Sequence, residues 1–407
     1  MIIDANLLKE SFDKSKKGVI WKESIQRYEI NLLRNIHYTK NELENGIYQQ
    51  KPFNEFKIHE RGVERVAKAL DIYDRVIQRM VNDYMIFPYV KNKLIYDNGA
   101  SLKNKGVDFQ RERLKCHLQK YYRRNQNCEG YVLQIDFSKF FDNIRHKPLL
   151  QMFAKEINDN EIMELVTYLI DTFSIDVSYL SDDAYKHCED ILFNSLNYNK
   201  IHYCPTSTTN KRMHKSLGIG SQISQIAGVF YPTYIDNYIK IVCGIKYYGR
   251  YMDDIYIIDS DKNRLKDLYN KICNISDNLG LFINKKKTRI LKLNKGFVFL
   301  KMKYILTDTG KVIMIPSKDK IVRERRKLKK MRQKFDNNEI SYSEIEKHYK
   351  SWRGGLEKYN SYYKLKNMDD LYNKLFIYPF ITGEHKYNFM KRRKCYDRSR
   401  KNFSKNH

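Results

Sequence analysis

Two adjacent carboxylates, Asp253 and Asp254, lie at the centre of the run Ile245-Lys-Tyr-Tyr-Gly-Arg-Tyr-Met-Asp-Asp-Ile-Tyr-Ile-Ile-Asp259. Apolar and aromatic residues on both sides predict strand, tight turn, strand, with Tyr251, Met252 and the two acids at the turn. Neighbouring carboxylates repel each other, and a cation relieves the repulsion. Hard divalent cations prefer carboxylate oxygen, which makes Mg²⁺ the natural partner. Taken alone, the tetrapeptide reads first as a solvated charged turn, so another residue must decide. That residue is Asp136, at the end of the apolar run Tyr131-Val-Leu-Gln-Ile-Asp136, which reads as a buried strand presenting an acid at its tip. If both strands join one sheet, three carboxylates converge. Three carboxylates around two metal ions about 3.5–4 Å apart suit in-line phosphoryl transfer. One ion activates a hydroxyl nucleophile, and the other neutralises a triphosphate and its leaving pyrophosphate.

The elements around these acids follow from periodicity. Residues 1–50 read as helical, and residues 56–66 as a short hairpin around Gly62. Residues 68–86 read as an amphipathic helix, with Leu70, Tyr73, Val76, Ile77, Met80 and Val81 at helical spacing and Pro88 closing it. Residues 108–124 form a basic helical stretch, and 147–172, 221–241 and 262–279 read as helices. Residues 173–216, rich in Asn, Ser and Tyr with few apolar runs, read as an insertion or long loop. Residues 297–306 read as a strand, and from about 317 to 380 the chain reads as basic helix. The end of the chain is basic and polar, with the pattern of a segment that is flexible without a partner.

Composition narrows the partner. Over 407 residues the chain carries 76 basic and 48 acidic side chains, a net +28, and residues 311–407 alone hold +16 of it. Such an excess points to a polyanion, nucleic acid before an anionic membrane. The start of the chain lacks the pattern of a signal peptide, and no apolar stretch approaches the ~20 residues of a membrane span. The seven cysteines (116, 128, 188, 204, 243, 273, 395) form no CxxC pair, so neither a structural zinc site nor a disulfide framework is expected. A reduced, cytoplasmic protein without a membrane partner is the expectation. From Arg323 to Lys334 eight of twelve residues are basic, which suits a duplex backbone and counterion release.

The order of these segments resembles the reverse transcriptases. The resemblance rests on strand-borne Asp136 followed by Phe140-Phe141, on Gly-Ile-Gly-Ser-Gln-Ile-Ser-Gln (218–225) and on Tyr251-Met-Asp-Asp254. It continues through Gly-Leu-Phe-Ile-Asn-Lys-Lys-Lys-Thr (280–288) and Phe-Val-Phe-Leu-Lys (297–301). Upstream, Arg65 and Asp74-Arg-Val-Ile-Gln78 resemble the fingers segment of bacterial and group II intron types, so the likeness covers roughly residues 55–380.

The resemblance implies an α+β right-hand polymerase with fingers, an antiparallel palm sheet and a helical thumb. Its divisions would be an N-terminal helical extension (1–50), fingers (51–125), palm (126–310, with the insertion 173–216), basic thumb (311–381) and basic tail (382–407). It implies that Asp136, Asp253 and Asp254 hold two Mg²⁺ ions, with Mn²⁺ a substitute. Phe141 would be a steric gate against a ribose 2′-hydroxyl, Arg65 a triphosphate donor, and Lys287 a general acid. Gly220 and Gln225 would line the dNTP site. Tyr251, Met252, Leu300 and Lys301 would support the primer terminus, and Arg325, Arg326 and Lys329 the RNA/DNA duplex. Trp352 and Tyr362 would anchor helix packing in the thumb.

Two departures locate the chain within the family. Many relatives have Gly where Lys301 stands. Many also carry Gln-Gly-x-x-x-Ser-Pro where this chain has Ile219-Gly-Ser-Gln-Ile-Ser-Gln225. The latter form resembles prokaryotic enzymes of abortive-infection and other defence-associated groups and of diversity-generating retroelements, the last being error-prone. The expected activity is copying of a dedicated non-coding RNA into DNA in anti-phage defence. The alternatives are an error-prone diversity-generating enzyme, an RNA-synthesising polymerase, or a non-catalytic RNA-binding scaffold. A cognate RNA, a partner protein or a second copy of the chain are the further partners this reading admits.

Overall fold

In the computed structural model, residues 2–60, 63–193, 202–203, 210–218 and 220–377 are described, with the backbone alone at 59–60, 63–66 and 202–203. The chain divides into two compact units: Met1–His117 with Gly130–Ile290, and Leu118–Glu129 with Leu291–His407.

The first unit opens with helices α1 (Ala5–Ser15), α2 (Glu23–Ile30) and α3 (Leu32–Glu44). Asp4 caps α1 by accepting the Asn6 amide at 2.8 Å, and Leu8 and Phe12 carry its apolar face into the main core. A hairpin follows, β1 (Asn54–Glu60) and β2 (Val63–Ala69), paired from Asn54↔Ala69 to Glu60↔Val63. Its tip, including Gly62, lies outside the described residues.

Helix α4 (Ile72–Met80) starts later than its periodicity suggested, because Lys68 and Ala69 belong to β2 and Asp71 supplies the N-cap. Nor does Pro88 close it. A π-helical segment, Val81–Ile86, carries the chain into α5 (Phe87–Val90). Pro88 there falls in a first turn, where its missing amide breaks nothing. The basic helix α6 (Val107–Asn125) runs from the first unit into the second.

Strand β3 (Tyr131–Ile135) leads to a short helix α7 (Phe140–Asn143), then α8 (His146–Ala154) and α9 (Asn160–Asp171). The single helix expected over 147–172 is therefore two, since Asp159 caps α9 by accepting the Ile162 amide at 3.0 Å. The segment read as a loop is also structured. Strands β4 (Ile175–Asp176), β5 (His202–Tyr203) and β6 (Arg212–Met213) form a small sheet in the order β5-β4-β6, with helix α10 (Asp182–Lys186) between β4 and β5. Ile175, Val177, Cys188, Phe193 and Met213 give it a core of its own. These apolar residues are scattered singly among polar ones, so no periodicity announces them.

Helices α11 (Gln222–Phe230) and α12 (Thr233–Asn237) precede the hairpin β7 (Tyr248–Tyr251) and β8 (Asp254–Asp259). Helix α13 (Lys262–Asn278) and strand β9 (Arg289–Lys292) complete the set. The sheet order is β7-β8-β3-β9, so the two acid-bearing strands, β8 and β3, are central neighbours. Ile255, Tyr256, Ile257 and Ile258 are all buried, which means that β8 is covered on both faces.

In the second unit β10 (Phe297–Phe299), β11 (Met302–Leu306) and β12 (Val312–Pro316) form an antiparallel sheet in that order. The expected single strand over 297–306 is thus a hairpin folded at Leu300 and Lys301. The turn carries neither Gly nor Asn, which is why the sequence hides it. Helices α14 (Lys318–Asp336), α15 (Tyr342–Glu357) and α16 (Tyr362–Phe376) share a core of Leu328, Met331, Phe335, Ile345, Tyr349, Met368, Tyr372 and Phe376. Trp352 stacks on Tyr349 with ring centroids 5.9 Å apart. Tyr362, expected to anchor packing, is instead 71% exposed. The basic tail from 378 onward lies outside the described residues. No described helix is long and apolar enough to cross a membrane.

Candidate active site

Antiparallel pairing of β3 with β8 ends at Ile135↔Ile255. Extending that register by one residue puts Asp136 opposite Asp254, the close cross-strand position where like charges repel. Asp253 adjoins Asp254 in the turn, so all three acids expected to converge do so at one end of the two central strands. Lys287 reaches the same point: its Nζ donates to both oxygens of Asp136 at 3.0 Å. The Asn284 amide donates to the Asp136 carbonyl at 2.7 Å, which docks the 284–288 turn beside the acid. Burial, then Asp253 and Asp136, push the Asp254 carboxyl up to about 7, with Lys287 opposing. Buried carboxylates that repel one another offer an all-oxygen donor set that a hard divalent cation satisfies, and Mg²⁺ fits it.

The turn that presents Asp253 is set by a residue the sequence reading passed over. Strands β7 and β8 close through Met252 and Asp253, with Tyr251 paired to Asp254. Met252 has φ +53°, an uncommon and strained state for a side chain of this kind. Arg250, fully buried, holds it there by donating from Nη1 to the Met252 carbonyl at 3.2 Å. The same guanidinium donates from Nη2 to the Val229 carbonyl at 2.7 Å. It also grips Asp236 in a fork, Nε to Oδ1 at 2.8 Å and Nη2 to Oδ2 at 2.6 Å. Tyr248 donates its hydroxyl to Asp236 as well. A charged, buried pair in an apolar stretch has no periodic signature; the only sequence hint was a lone Arg next to the acids.

Phe141 lies in α7, half-buried, with its ring edge-on to Phe140 at 5.4 Å. Gly228 on α11 makes room for it: a Cβ at that position would come within 2.8 Å of the Phe141 ring. Gly218 and Gly220 both lie against Lys68, near the end of β2. Gly220 has φ +120°, and a Cβ there would sit 3.2 Å from the Lys68 carbonyl. Ser221 caps α11 and donates its hydroxyl to the buried Gln78, which donates in turn to Gln50 at 2.8 Å. Gln225 sits half-buried one turn into the same helix. Ile219 and the Arg65 side chain lie outside the described residues; the Arg65 backbone pairs with Ile58 in the β1–β2 hairpin.

The remaining sequence-derived residues lie in the second unit. Leu300 and Lys301 form the β10–β11 turn, with φ +44° and +65°. Both central residues are left-handed, the pattern of a type I′ hairpin built here without glycine. The Ser317 amide donates to the Lys301 carbonyl at 3.1 Å and braces it. Arg325, Arg326 and Lys329 are exposed on α14, while Ile321, Leu328, Met331 and Phe335 face its core.

Two outcomes follow. Arg250→Ala or Asp236→Ala leaves an unmatched buried charge and should each lower unfolding free energy by about 3–5 kcal/mol in urea titration. The double variant should lose less than the sum. Second, Asp254 in the ion-free protein keeps a proton that the unfolded chain gives up at ordinary carboxylate pH. Its stability contribution therefore falls as pH rises from the carboxylate range towards about 7. In chelator-treated protein, Asp254→Asn should stabilise relative to wild type more at about pH 8 than at about pH 5. Equal differences at both pH values would contradict that burial and crowding.

The family model described as "Reverse transcriptase (RNA-dependent DNA polymerase)" matches residues 57–304, a span that holds the hairpin, the three carboxylates, Phe141 and Lys287. No curated protein sequence matches the chain. Among solved structures, it is similar to apo telomerase from Candida tropicalis, at 13% identity and a TM-score of 0.41, over 65% of this chain and 49% of that one. It is also similar to the same telomerase truncated from its C-terminal domain, at 14% identity and a TM-score of 0.43, over 69% of this chain and 60% of that one. The chain thus spans between 49% and 60% of the length of these telomerase chains. The family match covers more than half of the sequence and includes every residue at the acidic site: the chain belongs to the reverse transcriptase family, with its right-hand polymerase fold.

Proposed function

We propose that Asp136, Asp253 and Asp254 hold two Mg²⁺ ions, replaceable by Mn²⁺, and that the chain extends a primer along an RNA template with dNTPs. The observation that carries this reading is the register that sets Asp136 opposite Asp254, with the turn acid Asp253 alongside. When bound, the ions lower the pKa of a primer hydroxyl and offset charge on the triphosphate. The protein's own groups do the rest. Lys287, already against Asp136, is the general acid for the leaving pyrophosphate. Arg65 donates to the triphosphate. Phe141, backed by Gly228, excludes a 2′-hydroxyl, and Gly220 and Gln225 border the nucleotide. Tyr251 and Met252 support the primer end, as do Leu300 and Lys301. Arg325, Arg326 and Lys329 lie along the duplex backbone, each removing part of its counterion atmosphere.

The finer biology rests on the sequence Ile219-Gly-Ser-Gln-Ile-Ser-Gln225. It supports a prokaryotic enzyme of the defence-associated kind, working in the cytoplasm on a dedicated non-coding RNA. The same residues support error-prone copying as a second reading. Equal error rates for wild type and Ile219→Gln on a defined RNA would remove it. Sequencing the nucleic acid that co-purifies with the chain identifies template and primer together.

The primary test is extension of a primer on RNA with dNTPs and Mg²⁺. Asp253→Ala with Asp254→Ala should abolish extension and leave RNA binding intact. Phage protection that survives this change would favour a non-catalytic scaffold. Phe141→Ala should raise ribonucleotide use relative to dNTPs by roughly tenfold or more; an unchanged ratio would remove Phe141 as the gate.

A further inference from the structure

We propose that His146, Asp171 and His214 form a zinc-class metal site that staples the 173–216 insertion to helices α8 and α9. The three residues come from three elements. His146 opens α8, Asp171 ends α9, and His214 directly follows β6 on the return from the insertion. One ring nitrogen of each histidine and one Asp171 oxygen lie within 4.8 Å of one another. The backbone brings them together, with the His146 amide donating to the His214 carbonyl at 2.9 Å and Arg145 bridging Lys215.

His146 supplies the independent observation. It is 2% exposed, and its Nε2 lies 2.7 Å from the Ser216 carbonyl. A carbonyl only accepts, so Nε2 carries the hydrogen and Nδ1 carries a lone pair. That Nδ1 is buried and has no hydrogen-bond partner. Buried polar atoms are rarely left so. An imidazole whose second nitrogen donates to a backbone carbonyl is the arrangement metal-bound histidines adopt.

The other two donors are accessible. His214 is 46% exposed at its side chain, and its Nδ1 lies 2.8 Å from Asp171 Oδ1. Arg212 sits 3.5 Å from Asp171 Oδ2, a long contact that an ion would displace. Glu189, whose Oε1 accepts the His214 amide at 2.8 Å, is a further carboxylate at the rim. Two imidazoles and one carboxylate select Zn²⁺ or a similar late divalent ion, whereas Mg²⁺ prefers oxygen alone. Bonds of about 2.0–2.2 Å in a tetrahedron need ligand atoms roughly 3.4 Å apart, so small side-chain rotations close the set. The site is separate from the catalytic carboxylates and does no chemistry on the substrate. It fixes the segment that follows β6, whose next amides, Ser216 and Leu217, donate at 3.0 Å to the Ile144 and Phe141 carbonyls.

The test uses the full chain with Asp253→Ala and Asp254→Ala, which removes two of the three carboxylates of the acidic site. Chelator-stripped protein is titrated with Zn²⁺ against a competing dye, with melting followed in parallel. One tight zinc per chain and a zinc-dependent rise in Tm are expected. His214→Ala, at a half-exposed position and checked for an intact fold by circular dichroism, should weaken binding by roughly 100-fold and remove the Tm rise. Cobalt in place of zinc should give the visible absorption of a tetrahedral site in the parent alone. Absence of tight zinc, or equal zinc affinity in the parent and in His214→Ala and Asp171→Asn, would overturn the proposal and leave Asp171–His214 a plain ion pair.

Discussion

A single buried guanidinium organises the catalytic end of the first unit. Arg250 ties the Met252 carbonyl, the Val229 carbonyl and the Asp236 carboxylate into one set of hydrogen bonds, with both charged side chains fully buried. A charge in that position is tolerable only because Asp236 meets it with a two-pronged contact and Tyr248 adds a third donor. The result is a rigid link between the helices α11 and α12 and a strained two-residue turn. That turn is where Asp253 must stand. The strain at Met252 is held by the surrounding contacts, as expected where backbone geometry serves a site.

The second constraint is electrostatic. Asp136, Asp253 and Asp254 are crowded at one end of two covered strands, and the raised Asp254 pKa expresses the cost of placing them there. The fold supplies one fixed cation, Lys287, on Asp136. The remaining repulsion is of the kind that a divalent ion bound there would relieve.

Much of this was legible in the sequence because its signals were local and periodic. The apolar and aromatic residues around Asp253 gave a hairpin, the apolar run before Asp136 gave a strand, and the basic stretch after Arg323 gave a helix. The parts that stayed hidden depend on contacts distant in the chain. Arg250 with Asp236, and Ser221 with Gln78, are polar pairs that meet only when elements pack. The turn at Leu300 and Lys301 uses left-handed residues without the glycine that marks such turns. The insertion folds around single apolar residues spaced too irregularly to read. Pro88 stands inside a helical path because a π segment precedes it, which no composition rule reveals.

The most direct measurement of the central claim is where divalent ions bind in the presence of nucleotide. Crystals of the full chain with a non-hydrolysable deoxynucleoside triphosphate and Mn²⁺ would locate them by anomalous scattering. The account predicts manganese bound by Asp136, Asp253 and Asp254 with the triphosphate against it and the sugar beside Phe141. Triphosphate bound elsewhere, or manganese absent from these three carboxylates while the nucleotide is bound, would contradict it.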